Sequence, residues 1–96
     1  MARYRVVIKP SASKEIGAVG QKKDRQRIVL RIQSLGENPR PFGCEKLSGH
    51  LDRYRVRGHL DRYRVREGNY RILYSIDDDK LLVDVVKVGH RKEVYR

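Results

Sequence analysis

The sequence predicts an α+β fold with an N-terminal strand, a two-helix hairpin and then a three-stranded antiparallel meander, all strands forming one antiparallel sheet. Two observations predict it. Apolar residues recur at helical spacing only in residues 11–35, whereas they alternate with charged residues, as in strands, before and after that segment. Gly and Pro residues separate these segments. Because 96 residues leave too few for two cores, we expect one domain spanning 1–96.

The N-terminal half supplies the first strand and both helices. Residues 4–9 alternate, and Pro10 is expected to end this strand while Ser11 caps a short helix over 11–19. A longer helix is predicted over 21–35, because its apolar residues form an i, i+4, i+7 stripe and a glycine follows. The apolar residues expected to face the sheet are Tyr4, Val6, Ile8, Ala12, Ile16, Val19, Ile28, Ile32 and Leu35.

The C-terminal half is predicted to form the meander. Residues 37–49 contain the Gly and Pro residues of a loop, with Phe42 and Leu47 as its apolar anchors. Three strands follow, over residues 60–66, 70–76 and 81–88. A Glu-Gly-Asn turn joins the first two strands, and the third is so apolar that we expect it inside the sheet.

Residues 49–57 and 58–66 are the same nine residues in tandem, Gly-His-Leu-Asp-Arg-Tyr-Arg-Val-Arg. A strand constrains residue class and leaves identity free, so complete identity indicates a recent duplication, natural or introduced in cloning. We expect the second copy to fill the native strand, because it keeps the short turn to Tyr70. The first copy is then displaced into a loop or an added edge strand, which favours a domain-swapped or edge-strand dimer.

The net charge is the clearest functional signal in the composition. Lys and Arg number 23 against 12 Asp and Glu, which gives +11 and favours a polyanionic partner, either nucleic acid or an acidic protein. The densest basic segment, 53–71, carries only arginine as its cation, and guanidinium groups suit bidentate contacts with phosphate. A solvated strand face is the alternative interpretation of these arginines.

Several other classes of function are disfavoured. No apolar stretch is long enough for a membrane span and the N-terminus lacks a secretory signal, so we expect a cytoplasmic protein that binds no membrane. A single cysteine, Cys44, excludes an intrachain disulfide. Asp77, Asp78 and Asp79 are predicted to form a polar turn rather than a metal site. We expect neither a metal nor an organic cofactor.

Four segments carry a resemblance to a known family, namely Lys46 to Gly49, Tyr63 to Arg66, Gly68 to Tyr74 and Val88 to Tyr95. Through them the chain resembles the RelE branch of the RelE/ParE toxins of bacterial and archaeal toxin–antitoxin systems. The resemblance implies a metal-independent, ribosome-dependent endoribonuclease that cuts mRNA in the ribosomal A site. In that family the 2′-hydroxyl attacks the neighbouring phosphate, leaving a 2′,3′-cyclic end and a 5′-hydroxyl. The resemblance also implies a cognate RelB-like antitoxin as partner.

The resemblance assigns roles to particular residues. Arg64 and Arg66 occupy places where relatives often have lysines that hold the RNA and assist proton removal. Arg71 matches the arginine that stabilises the pentavalent phosphate, Arg91 matches a second arginine near the leaving oxygen, and Tyr95 matches the tyrosine that stacks on a base. Arginine is a worse general base than lysine, so the chain departs from the family at the proton-transfer step. The further residues expected to contact RNA are Arg62, His90 and Lys92.

Two alternative functions stay open on the sequence. A ParE-like relative would share the fold and act on DNA gyrase, although Arg71, Arg91 and Tyr95 together favour the RelE interpretation. The chain is alternatively an inactive, antitoxin-binding corepressor. A toxin that kills its host selects for clones in which the toxin is disabled. We hypothesise that the duplication is such an escape from toxicity. For the side chain of His90, packing within the fold is the alternative to contact with RNA.

Overall fold

The structure of the protein is a computed structural model that describes residues 3–47 and 61–90. Within these residues a five-stranded sheet carries two helices on one face, and the apolar core lies between these layers. The strands and helices are β1 Arg5–Ile8, α1 Pro10–Gly17, α2 Lys22–Ser34, β2 Glu45–Leu47, β3 Arg62–Glu67, β4 Tyr70–Asp77 and β5 Leu82–His90. Within this described part of the chain, neither helix has the length and apolar character needed to cross a membrane.

The sheet is mixed, which corrects the expectation of a purely antiparallel one. Its strand order is β1-β5-β4-β3-β2, in which β5 runs parallel to β1 and every other neighbouring pair is antiparallel. Alternation identifies the buried face of a strand but not its neighbour or its direction. The first strand pairs with the last through a long crossover, as parallel strands require. The prediction that residues 81–88 lie inside the sheet is confirmed, since β5 lies between β1 and β4.

The two helices bury the predicted apolar stripes, but the first begins differently. α1 starts at Pro10 with an extended Lys9 as its N-cap, so Ser11 lies inside the helix instead of capping it. Proline suits the first turn because its fixed φ is helical and its missing N–H needs no partner there. The apolar residues predicted for the two helices are all buried, namely Ala12, Ile16, Val19, Ile28, Ile32 and Leu35.

The predicted loop before the meander contains an additional strand. β2 is 3 residues long and pairs antiparallel with β3, so the meander of the described residues has four strands. A strand this short shows no alternation, because it is defined by its pairing with β3. The prediction that Phe42 anchors the loop is wrong, because its side chain is fully exposed, whereas Leu47 is partly buried.

The β3–β4 hairpin forms where the sequence predicts it. Its turn contains Gly68 at φ 60°, a left-handed conformation that glycine adopts without strain. The buried residues of the hairpin face the helices and are Val65, Ile72, Tyr74 and Ile76. β3 begins with the last five residues of the second repeat copy. The first copy, 49–57, lies outside the described residues.

A β-bulge in β5 changes which of its side chains face the helices. Tyr74 pairs with Val85 but Leu73 pairs with Lys87, so an extra residue is inserted into β5 at that step. Val85 and Val88 are consequently both buried although they are three residues apart. In a regular strand, side chains on the same face are separated by an even number of residues. The alternation is therefore reversed at the end of β5.

Gly36 packs so closely against the first strand that a side chain does not fit. Its carbonyl accepts a hydrogen bond from the N–H of Tyr4 at 2.8 Å, and a Cβ atom would lie 2.9 Å from Tyr4 O and 3.2 Å from Val6 Cγ2. Gly36→Ala is expected to lower the free energy of unfolding by about 1–3 kcal/mol, because the backbone must shift. Urea unfolding measures this, with Gly20→Ala as the control, since a Cβ at Gly20 meets open space. Equal stability of the two variants would contradict the prediction.

Candidate functional site

The basic residues of the β3–β4 hairpin lie on the sheet face that the helices leave uncovered. We call this surface the arginine face and define it by Arg62, Arg64 and Arg66 of β3 and Arg71 of β4. Alternation places these side chains opposite the buried residues of the same strands. In the hairpin register Arg66 pairs directly with Arg71, and Arg64 pairs with Leu73. The structure therefore brings four of the predicted site residues onto one surface, while their roles stay predictions.

Arg66 and Arg71 form the part of the arginine face best suited to an anion. Side chains directly opposite each other in an antiparallel pair have Cβ atoms about 5 Å apart, so two like charges there repel and an anion between them reduces the repulsion. On its other side Arg71 is paired with Gly89, which has no side chain. Arg66 is exposed, whereas Nε and Nη1 of Arg71 are inaccessible to solvent. A phosphate here would meet one exposed and one partly enclosed guanidinium.

Arg64 is held by an acidic residue that the sequence analysis missed. Glu45 of β2 is the direct cross-strand partner of Arg64, and its Oε2 atom lies 2.5 Å from Nη2 of Arg64. The side chain of Arg64 is 12% exposed, whereas that of Glu45 is 58% exposed. The position of Glu45 beside the motif that begins at Lys46 is its only signal in the sequence. The ion pair fixes Arg64 and leaves the carboxylate open to solvent.

His90 lies on the side of the sheet opposite the arginine face. Its cross-strand partner Tyr70 packs against the core, and the two rings meet edge to face with centroids 5.8 Å apart. Both rings, together with Glu15 of α1, line a cleft of about 330 Å³. The contact of His90 with RNA stays a prediction, and its position separates it from the four arginines.

The remaining predicted site residues follow β5 in the chain. Arg91, Lys92 and Tyr95 lie outside the described residues, so their roles also stay predictions. The last described residues of β5 include Gly89, the cross-strand partner of Arg71.

A second charged cluster lies where the N-terminal segment, the loop after α2 and the β4–β5 turn meet. Arg40 donates hydrogen bonds from Nη1 and Nη2 to the two carboxylate oxygens of Asp78 at 3.1 and 2.9 Å, and the Tyr4 hydroxyl donates to Oδ1 at 2.5 Å. The guanidinium carbon of Arg40 lies 5.3 Å from the ring centroid of Tyr63. The hydrogen bonds from Arg40 and Tyr4 lower the pKa of Asp78 from its usual 3.8 to about 2. The cluster therefore favours the ionised carboxylate in the folded state.

This cluster predicts an acid-dependent contribution to stability. Because folding lowers the pKa of Asp78 to about 2, the contribution is complete above the unfolded-state pKa near 4 and is lost as the pH falls through about 2. We expect the Asp78→Asn variant to be less stable than the parent at neutral pH. The difference between their free energies of unfolding should shrink between about pH 4 and 2. Urea unfolding over that range measures it. Asp79→Asn, in the same turn, is the control, and a pH-independent difference for Asp78→Asn would refute the prediction.

Comparison with known proteins identifies the family of the chain. The family model described as the ParE toxin of the type II toxin–antitoxin system parDE matches residues 6–95. The chain is also 32% identical over 73 residues to the mRNA interferase toxin RelE of Escherichia coli (strain K12), covering 74% of this chain and 68% of that relative. The chain belongs to the ParE/RelE toxin family. The resemblance carried by the four sequence motifs is thereby confirmed at the level of the family.

Solved structures agree with this assignment of the ParE/RelE toxin. The toxin resembles a chain of the archaeal RelE–RelB complex from Pyrococcus horikoshii OT3 with a TM-score of 0.75 and 29% identity, covering 98% of this chain and 100% of that one. It resembles the isolated E. coli RelE toxin with a TM-score of 0.67 and 27% identity, covering 96% and 90%. The mixed α+β architecture is therefore the one found in RelE structures.

Proposed function

We propose that this ParE/RelE toxin is an mRNA interferase, a ribosome-dependent endoribonuclease that cuts mRNA in the ribosomal A site. The observation that carries the proposal is the arginine face, where Arg66 and Arg71 are direct cross-strand partners and Arg64 lies two residues away along β3. The name of the E. coli relative, mRNA interferase toxin RelE, supports the same activity.

The proposed chemistry needs a site that stabilises negative charge around phosphorus. The 2′-hydroxyl attacks the adjacent phosphate, and a pentavalent phosphate forms before the bond to the 5′ oxygen breaks. Arg66 and Arg71 donate hydrogen bonds to the phosphate oxygens, because guanidinium groups present N–H donors in a fixed fork. Donors placed before the reaction stabilise the developing charge without reorganisation. The cleavage leaves a 2′,3′-cyclic phosphate and a 5′-hydroxyl.

The other site residues enter the proposal through the family resemblance. Arg91 stabilises charge near the leaving oxygen, and Tyr95 stacks on a base and orients the attacking nucleotide. Arg62, Lys92 and His90 contact the RNA. No metal or organic cofactor takes part.

A RelB-like antitoxin is the natural partner in this proposal. Among the similar structures is a RelE–RelB complex, from Pyrococcus horikoshii OT3. An acidic, amphipathic antitoxin complements a chain of net charge +11, so antitoxin and mRNA compete for the same basic surface. The duplicated segment adds a second mode of association, an edge-strand or domain-swapped dimer through the first repeat copy.

Inhibition of DNA gyrase is a second candidate function. It is favoured by the family model, which is that of ParE toxins. The combination of Arg71, Arg91 and Tyr95 in one chain favours the endoribonuclease instead. A third candidate is an inactive toxin that still binds its antitoxin and acts as a corepressor.

Primer extension on ribosomes programmed with a defined mRNA tests the proposal. We expect the full chain to produce cuts at codon boundaries, and to leave the same mRNA intact when ribosomes are omitted. A parallel reaction with DNA gyrase and supercoiled DNA detects the second candidate. Gyrase-linked DNA breaks without mRNA cuts would overturn the endoribonuclease in favour of the ParE-like function, and neither product would favour the corepressor.

A further inference from the structure

Glu45 places a carboxylate beside the arginines of the proposed nuclease site. Its direct cross-strand partner is Arg64, so both side chains project from the arginine face. Arg66 is the diagonal neighbour, a position about 7–8 Å away in an antiparallel pair. Since Arg66 is paired with Arg71 of β4, a phosphate between those two arginines lies about half a strand spacing beyond Arg66, on the same diagonal from Glu45. The carboxylate is 58% exposed and therefore accessible to an RNA strand.

The other carboxylates that the described strands β3 to β5 place on this face are engaged elsewhere. Oδ1 of Asp77 accepts a hydrogen bond from the N–H of Lys80 at 3.1 Å, in the turn at the far end of β4. Oδ2 of Asp84 lies 3.1 Å from Nζ of Lys9, and Asp84 is paired with a residue four positions along β4 from Arg71. Among these three acidic residues, Glu45 is therefore the one next to the predicted phosphate position.

The reaction needs a proton acceptor that arginine does not provide. A guanidinium group stays protonated at any pH at which the protein is folded, so neither Arg64 nor Arg66 can take the proton of a hydroxyl. An ionised carboxylate accepts protons, and general-base catalysis by such a group contributes about 10²–10⁴-fold to a rate. Glu45 and Arg64 together supply what one lysine would otherwise combine, a proton acceptor and a fixed positive charge.

We propose that Glu45 accepts the proton of the attacking 2′-hydroxyl, an inference that rests on the endoribonuclease function. As the O–H bond breaks, its electron pair stays on the 2′ oxygen, which forms the bond to phosphorus, and the proton passes to Glu45. The bond from phosphorus to the 5′ oxygen then breaks with its electron pair on that oxygen, which takes a proton from solvent water. Glu45 afterwards returns its proton to water, so the step needs no oxidant, reductant or other co-reactant.

Arg64 orients this carboxylate. Its Nη2 atom lies 2.5 Å from Oε2 of Glu45, and the neighbouring charges on the same face of β3 are Arg62 and Arg66. The ion pair leaves Oε1 as the oxygen that can meet the RNA. Binding through Oε2 also restrains the rotation of the Glu45 side chain, so Oε1 has a defined direction.

The test compares single-turnover cleavage rates of the full chain and of Glu45→Gln on programmed ribosomes between pH 6 and 9. Glutamine keeps the shape and still accepts a hydrogen bond from Arg64, but it does not take up a proton. We expect Glu45→Gln to be slower by about 10²-fold or more at neutral pH, and its rate to rise about tenfold per pH unit as hydroxide replaces the lost base. The parent rate should be level over this range. Glu67→Gln, the same change on the helix side of the hairpin, is the control and should match the parent.

The possible outcomes separate proton transfer by Glu45 from a purely positioning role. Cleavage by Glu45→Gln within about threefold of the parent would overturn the role of Glu45 and leave the endoribonuclease intact. A loss by the same factor at every pH would also overturn it, because it would mean that Glu45 only positions Arg64. If Glu45→Gln does not fold, Glu45→Asp is used in its place, and a carboxylate there must keep the level pH profile. If neither the parent nor the chain without residues 49–57 cuts mRNA, both proposals are overturned; if only the shortened chain cuts, the same Glu45 variants are compared in that chain.

Discussion

Replacing Arg71 with alanine is expected to lower the rate of mRNA cleavage on the ribosome by about 10²–10³-fold. Arg71 is the cross-strand partner of Arg66, and its side chain is half-buried, so packing restrains this guanidinium before RNA arrives. A donor that needs no reorganisation contributes most in the transition state, where charge builds on the phosphate oxygens. Single-turnover cleavage of one mRNA on programmed ribosomes measures the effect.

Two further variants separate geometry from charge at this position. Arg71→Lys keeps the charge but loses the planar fork of donors, so its rate should lie between those of the parent and Arg71→Ala. Arg27→Ala removes one positive charge from the exposed side of α2, in the layer opposite the arginine face, and should stay within about threefold of the parent. Equal losses in Arg71→Ala and Arg27→Ala would show that net charge alone governs the reaction. An unchanged rate in Arg71→Ala would remove Arg71 from the proposed site.

The sequence predicted the faces of the elements well and their arrangement less well. Helical spacing identified Ile28 and Ile32 as core residues, and alternation placed Val6 and Ile8 against the core, because burial of apolar side chains leaves a periodic pattern in the chain. The parallel pairing of β1 with β5 leaves no such pattern, since it joins segments more than 70 residues apart. The short strand β2 was missed for the same reason, because only its partner β3 defines it.

The candidate site likewise combines residues that local sequence patterns predict with residues that only strand pairing brings together. Arg64, Arg66 and Arg71 share a face because residues two apart on a strand point the same way and a two-residue turn sets the register of their hairpin. Glu45 was not predictable in this way, since its place beside Arg64 comes from the pairing of β2. The side occupied by His90 depends on the bulge in β5, which reverses the alternation, and a bulge inserts one residue without a distinctive sequence.

Removing one copy of the nine-residue repeat is expected to raise both the stability and the activity of this toxin. Residues 48–61 separate β2 from β3, a connection of fourteen residues that becomes five when 49–57 are deleted. Loops of two to five residues are typical of β-hairpins. Because the entropy of loop closure grows as (3/2)RT ln n, the shorter connection should add about 1 kcal/mol to the free energy of unfolding. Urea unfolding of both chains measures this difference.

The gain in activity follows from where the repeat is inserted. The connection joins the strands that carry Glu45 and Arg64, so a shorter one should hold this ion pair more firmly. The deleted copy also contains three arginines and one aspartate, charged residues that would otherwise lie in the chain between these strands. Because the copies are identical, deletion of either one yields the same 87-residue chain, and the register of β3 is unaffected. We expect the shortened toxin to arrest growth more strongly when expressed without antitoxin, measured by viable counts at matched expression.

A third chain, with nine Gly and Ser residues in place of 49–57, separates the two causes of impairment. If the length of the connection impairs the toxin, this chain should resemble the parent in stability and in growth arrest, because its loop is equally long. If the charged side chains of the first copy obstruct the RNA, it should arrest growth as the shortened toxin does while keeping the lower stability of the parent. Equal growth arrest by all three chains would mean that the repeat does not impair the toxin, and the hypothesis that the duplication is an escape from toxicity would be wrong.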